Sequence, residues 1–272
     1  MAFKKSYRKK STKRTYKRKS YARKGKSTPM RKVIRREIAR TEEVKAKQQF
    51  VSLKQLWTTG NVNFPNNVVS LGPQPGSLPI NQGTGQGDRI GNKIMTKKLT
   101  FKGVITPVDW DTTLNPNPRP LQVKMVLLYD REDPNDPPIP GSTFFQDGGS
   151  TTGFTGTQMD LIKPYNEDRY RILMTKTWKL GFASYTGTAS SSANQLEWQA
   201  YSNNDFKLNI NFNIDVTKYY PKQVKFNDNN STPMNRGLFA LFYCISADGT
   251  VMPAAWQPAW LTFMQDYRFT DA

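Results

Sequence analysis

Residues 206–216 read Phe-Lys-Leu-Asn-Ile-Asn-Phe-Asn-Ile-Asp-Val. Phe206, Leu208, Ile210, Phe212, Ile214 and Val216 fall on one side of an extended chain, and Lys207, Asn209, Asn211, Asn213 and Asp215 on the other. This period of two marks a half-buried strand; an amphipathic helix would repeat every 3.6 residues. Outward from it, residues 92–106, 121–129, 170–182, 237–246 and 260–269 read as further strands. In 170–180, Tyr170, Ile172, Met174, Trp178 and Leu180 share one side, interrupted by Lys176, while Arg169, Arg171 and Lys179 share the other. Residues 125–129 and 238–245 are apolar on both faces, as central strands of a sandwich are.

The connections are long and rich in breakers: 61–91, 107–120 (with Asn115-Pro116-Asn117-Pro118), 130–160 (with Pro134, Pro137-Pro138, Pro140 and Gly148-Gly149) and 226–236. Loops beyond about 12–15 residues tend to carry function. No helical pattern of useful length follows residue 50, so the crossovers of a parallel sheet are missing. The expected fold is all-β, an antiparallel sandwich with elaborate loops.

Charge divides the chain differently. Residues 1–36 carry 17 Lys/Arg and no Asp or Glu; residues 1–40 hold 18 basic against 1 acidic residue, and residues 41–272 hold 22 against 20. Nearly all of the +19 net charge therefore sits in one terminal arm. Such an arm gains free energy by releasing counterions from a phosphate backbone. The expected nucleic-acid-binding residues are Lys4, Lys5, Arg8, Lys9, Lys10, Lys13, Arg14, Lys17, Arg18, Lys19, Arg23, Lys24, Lys26, Arg31, Lys32, Arg35 and Arg36, with Tyr7, Tyr16 and Tyr21 interleaved. Aromatic rings among cations can stack on unpaired bases, which favours single strands, although tyrosine is equally a polar filler in a disordered tail. The run Lys13-Arg14 and Lys17-Arg18-Lys19 also suits a nuclear import signal. The expected division is a disordered arm over 1–29, a short helical connector over 30–50 (stripe Val33, Ile34, Ile38, Ala39) and a β body over 51–272.

Absences narrow the function. There is no histidine and one cysteine, Cys244. A Ser–His–Asp or Cys–His site, a Cys/His zinc site and an internal disulfide are all excluded. Cys244 lies in an apolar run and reads as a buried small hydrophobe. No stretch reaches the ~20 apolar residues of a membrane span, and no apolar segment follows the first basic residues as in a secretory signal. Gly25-Lys26-Ser27 lacks the first glycine and the preceding strand of a phosphate loop. Gly83-Thr84-Gly85-Gln86-Gly87 reads as a flexible loop leading into a strand. Asp130-Arg131-Glu132-Asp133 with Asp136 could offer oxygens to Ca²⁺ but lacks EF-hand spacing, so a solvated loop is the plainer reading. No pair of carboxylates stands out for glycoside hydrolysis. The expectation is a non-enzymatic chain without a cofactor or metal.

With these residues in view, the chain resembles the capsid proteins of small circular, Rep-encoding single-stranded DNA viruses of circovirus type. The resemblance lies in the Lys/Arg/Tyr arm and in Gly83-Thr84-Gly85-Gln86-Gly87-Asp88-Arg89-Ile90-Gly91-Asn92-Lys93-Ile94, where Arg-Ile-Gly-Asn-Lys-Ile is its most specific part. Tyr170-Arg171-Ile172-Leu173 followed by Lys176-Thr177-Trp178-Lys179-Leu180 is similar to a mid-chain strand of that family. The resemblance implies an eight-stranded jelly roll, an icosahedral T=1 shell of about 60 copies, arms pointing inward onto a single-stranded DNA genome, and assembly in the host nucleus. Its implied partners are the genome, further copies of itself, the host nuclear import machinery and a host receptor. Six strands are plain in the residues; the rest would lie in 50–69 and 196–201. The arms of such a shell would bring on the order of a thousand positive charges inside, comparable with a genome of roughly one or two thousand nucleotides. Trp256 and Trp260 could serve subunit contacts, with core placement the plainer reading. A non-viral nucleic-acid-binding protein with a β-sandwich body, and a glycan-binding or hydrolytic sandwich with an import tail, stay open beside it.

Overall fold

The alternation of residues 206–216 becomes strand β10 (Ile210–Asp215), with Ile210, Phe212 and Ile214 buried and Asn211, Asn213 and Asp215 exposed. It is shorter than the pattern suggests. The Asn203 side-chain carbonyl accepts the amides of Asp205 and Phe206, folding that end into a turn. Val216 leads into a 3-10 turn at Thr217–Tyr219.

This computed structural model describes residues 33–34, 43–58, 67–74, 77–132, 141–186, 197–228 and 230–272. The chain divides into two compact units, Met1–Glu42 and Glu43–Ala272. Of the first, Val33 and Ile34 are described and are helical.

The second unit is an antiparallel β-sandwich. Its other strands are β1 (Lys45–Leu56), β2 (Val68–Leu71), β3 (Lys93–Pro107), β4 (Leu121–Asp130), β5 (Phe145–Asp147), β6 (Ser150–Thr152), β7 (Tyr170–Leu180), β8 (Phe182–Thr186), β9 (Glu197–Tyr201), β11 (Gln223–Lys225), β12 (Leu238–Ser246) and β13 (Ala259–Asp271). The first sheet runs β1-β13-β3-β10, with β11 also on β3; the second runs β2-β12-β4-β7. Two hairpins, β5-β6 and β8-β9, stand apart. The pairing is nested: β1 with β13, β2 with β12, β3 with β10, β4 with β7. The chain is thus one long antiparallel hairpin rolled into two layers, held closed by β13 on β3 and β12 on β4.

The main core lies between the layers. Phe101 of β3 packs on Phe212, Phe263 and Phe242, with ring centroids 5.1, 5.6 and 6.2 Å away, which joins both sheets. Each such pair adds about 0.5–1.5 kcal/mol beyond burial. A second cluster sits on the other face of the second sheet. There Val126, Leu128, Phe239, Leu241, Tyr243 and Ile245 meet Phe144, Phe145 and Tyr170, with Phe154, Leu161 and Tyr165 packed around them. Residues 141–169 therefore form a cap. It explains why all of β12 is buried: alternate residues Leu238, Ala240, Phe242 and Cys244 face the main core, and the residues between them face the cap. Arg169 closes the cap's base, its Nε and Nη2 donating to Asp130 Oδ2 at 3.2 and 3.0 Å.

Two expectations change. Residues 45–50, read as the end of a helical connector, form the first half of β1. Their inward side chains are polar and find distant partners: Lys45 meets Asp271, and Gln49 accepts from Gln265 Nε2 at 2.8 Å. Pairing with β13 overrides a local preference for helix. The Gly83–Gly87 segment, read as flexible, is a hydrogen-bonded turn, with the Gly83 amide on Arg89 O and the Asp88 amide on Gly85 O. Strands β1 and β2 overlap the two ends of 50–69, and β9 lies within 196–201, the stretches expected to hold further strands.

Candidate nucleic-acid interface

All seventeen cations from Lys4 to Arg36, and Tyr7, Tyr16 and Tyr21, lie outside the described residues. What the structure does position is a second basic surface, on the body.

The two sheets differ in their outward faces. The second is covered by the 141–169 cap; the first faces outward with polar and charged side chains. Register fixes which residues share that face, because directly opposed residues of antiparallel strands point the same way. Along β3, Lys98, Thr100, Lys102, Val104 and Thr106 lie opposite Arg268, Asp266, Met264, Thr262 and Trp260 of β13. Asp215, Asn213 and Asn211 of β10 flank Thr100, Lys102 and Val104 on the other side. Ala46, Gln48 and Phe50 of β1 complete the rows beside Arg268, Asp266 and Met264. At the far end Lys93 opposes Lys225, and Met95 opposes Gln223.

Lys93, Lys98, Lys102, Lys225 and Arg268 are all exposed. The acids among them are engaged within the fold. Asp266 accepts from Arg268 Nε at 3.1 Å and from Gln48 Nε2 at 3.3 Å. Asp215 is held below the usual carboxylate range by the hydroxyl and amide of Thr217, with Lys98 and Lys218 adding to the effect. A cleft of about 630 Å³ between the start of β3 and residues 215–222 adds Lys218 and Lys222 to this region, beside Met95, Asp215 and Tyr220. A second depression, of about 550 Å³, lies mid-sheet among Phe50, Met264, Val104, Lys102 and Asn211, over the backbone of Gly103. Phe50 is 70% exposed at its rim.

Sequence reading missed this face. Lys98 and Lys102 of β3 already alternate with Leu99, Phe101 and Ile105, so their outward direction was visible, whereas Lys93 falls out of that phase across a register shift. Which strands stand beside β3 was not visible.

The turn of the Arg-Ile-Gly-Asn-Lys-Ile segment is structural. Arg89 is fully buried. Its Nη1 donates to Gly91 O (2.5 Å) and Asn92 Oδ1 (2.9 Å), and its Nη2 to Asn227 O (3.1 Å) and Asn230 O (2.9 Å). The guanidinium stands 4.6 Å over the Phe226 ring. It clamps the 83–92 turn to the 226–236 loop. Asp130 of the acidic segment is spent on Arg169, and among the described residues no group of three or more His, Cys, Asp or Glu could hold a metal. Cys244 is buried in the main core, where burial pushes its thiol up to about 12. Trp256 packs partly buried against that core, and Trp260 lies half-buried on the outward face.

No family model and no curated protein matches the chain. Among solved structures, the penton protein of mavirus is similar at 10% identity over 84% of this chain and 100% of that one, with a TM-score of 0.20, too low for strand-by-strand equivalence.

Proposed function

We propose that this chain is a structural capsid subunit: a jelly-roll body that assembles with further copies into a closed icosahedral shell, and a basic arm that packages single-stranded DNA. The observation that carries the reading is the nested pairing of eight strands, β1 to β4 with β13, β12, β10 and β7, rolled into two layers, the first of them extended by β11. A jelly roll is built that way, and capsids are among its common uses. Fold alone does not give function. The division of charge supplies the rest, because 18 basic against 1 acidic residue in 1–40 suit a polyanion while a near-neutral body lets subunits pack closely. The subunit performs no catalytic step and takes no cofactor. Virion location, passage through the host nucleus by the import machinery and contact with a host receptor belong to the same proposal, as does circovirus-type kinship.

Negative-stain electron microscopy with light scattering on the full chain tests it. Uniform closed particles near 60 copies are expected, with nucleic acid inside that is lost when residues 1–36 are removed. A monodisperse monomer or dimer, with nucleic acid supplied and salt varied, overturns it in favour of an ordinary nucleic-acid-binding protein.

A further inference from the structure

We infer that the outward face of the first sheet is a second nucleic-acid site, separate from the arm, which takes single strands and seats an unpaired base in the Phe50–Met264 depression. The inference rests on the nucleic-acid reading above and adds to it a place on the body and a preference for unpaired bases.

Charge comes first. Lys93 stands directly opposite Lys225, and Lys98 directly opposite Arg268. Like charges opposed across strands cost stability, and nothing in the sandwich requires them, since these side chains point away from its core. Lys102 continues the row about 14 Å along β3 from Lys98. The carboxylates on the face offset only part of the set: Asp266 pairs with Arg268 and Asp215 feels the charge of Lys98, so the five cations still outnumber the two acids. A bound polyanion removes the repulsion.

The depression decides which polyanion. Phe50 and Met264 are opposed on β1 and β13 and border a hollow of about 550 Å³ with Val104, Lys102 and Asn211. An aromatic ring 70% exposed beside a thioether offers a flat base an apolar seat, with cations within one strand for the phosphates on either side. A duplex keeps its bases stacked inside and has no use for the hollow. A second copy docking face to face would bring the same cations against each other.

Photocrosslinking of the full chain to a bromodeoxyuridine-containing single strand, mapped by mass spectrometry, tests this. Crosslinks are expected both in residues 1–36 and in peptides carrying Phe50 or Met264. With Phe50→Ala, or with Lys98→Gln combined with Lys102→Gln, the body crosslinks should fall about 5-fold or more while those in the arm persist. Phe50 is exposed, so its loss leaves the fold intact. Crosslinks confined to the arm overturn the second site but leave the packaging reading standing; none anywhere overturns both. Equal body crosslinking by the matching duplex overturns the base seat. Loss of Lys98 and Lys102 acylation in particles free of nucleic acid, relative to the unassembled subunit, makes the face a contact between copies and overturns the site.

Discussion

Lys45 Nζ lies 2.9 Å from Asp271 Oδ2, tying the first residue of β1 to the last of β13. The same ammonium donates to Asp88 O at 2.7 Å, and Asp271 Oδ1 accepts the Ile90 amide at 3.0 Å. One ion pair thus gathers the root of the first strand, the end of the last and the turn that carries Arg89. Lys45 is 4% exposed and Asp271 26%, so the cation depends on its partner more than the anion does. Asp271→Asn should cost about 1–3 kcal/mol, less than for a fully buried pair. Lys45→Met, which removes the buried charge together with its need for a partner, should cost less. Urea midpoints of the two variants check the order; a larger loss in Lys45→Met would contradict it.

Arg89→Lys tests the clamp. An ammonium cannot reach the four acceptors that two guanidinium nitrogens serve, nor lie flat over Phe226. A loss of about 2–4 kcal/mol is expected, with amide exchange accelerated across 226–236 before the rest of the body. Uniform acceleration would mean that the residue does not act locally.

Gly103 lies in the middle of β3 because the ring of Phe212 stands where a side chain would be. A Cβ there would come within 2.5 Å of Phe212 Cζ and 2.8 Å of the Thr262 carbonyl oxygen. The ring can turn, but the carbonyl belongs to the neighbouring strand. Gly103→Ala should lose about 1–3 kcal/mol in thermal or urea unfolding. If Phe212→Leu failed to recover part of that loss, the ring would not be the obstacle.

Above neutrality the pH profile should decline only at strongly alkaline pH. The chain has no histidine, the side chain that ordinarily titrates near neutrality. Burial pushes the Cys244 thiol from 9.0 up to about 12. Burial likewise takes the Tyr170 phenol from 10.0 up to about 12, against the opposing pull of the Thr143 hydrogen bond and the Arg169 charge. Tyr129, Tyr220 and Tyr267 are raised by burial as well. The unfolded chain releases these protons near their ordinary values and the folded chain keeps them, so the stabilisation is fully present below about pH 9. It then falls by about 1.4 kcal/mol per pH unit for each group as pH rises toward 12. Urea midpoints from pH 7 to 11 should stay level and then drop, and Cys244→Ala should delay the onset toward pH 10. A decline that begins between pH 7 and 8 would point to a different group.

Much of this fold could be read from the chain because its central strands obey simple patterns. Ile210, Phe212 and Ile214 alternate, and residues 238–245 are apolar throughout, which already asks for cover on both faces. The sequence does not say that the cover is residues 141–169, because Phe144, Phe145 and Phe154 sit near prolines and glycines without period. Strand β1 was hidden for another reason: Lys45 and Gln49 point inward, and what makes them acceptable there, Asp271 and Gln265, lies over two hundred residues away. The arm was evident from charge alone. The basic face was not, since it exists only once β1, β13, β3, β10 and β11 are set side by side in register.

The nested pairing also sets an order in time. The innermost partners, β4 and β7, are separated by one connection and can meet early, whereas β1 must wait for β13, which spans Ala259–Asp271. Because β13 stands between β1 and β3, the first sheet has no middle until those residues have been synthesised. Contacts of such long sequence separation form slowly. The second layer can therefore take shape while β13 is still being made, but the basic face and its Phe50 hollow come into being only once β13 has emerged, so a ribosome-bound chain lacks that face until then.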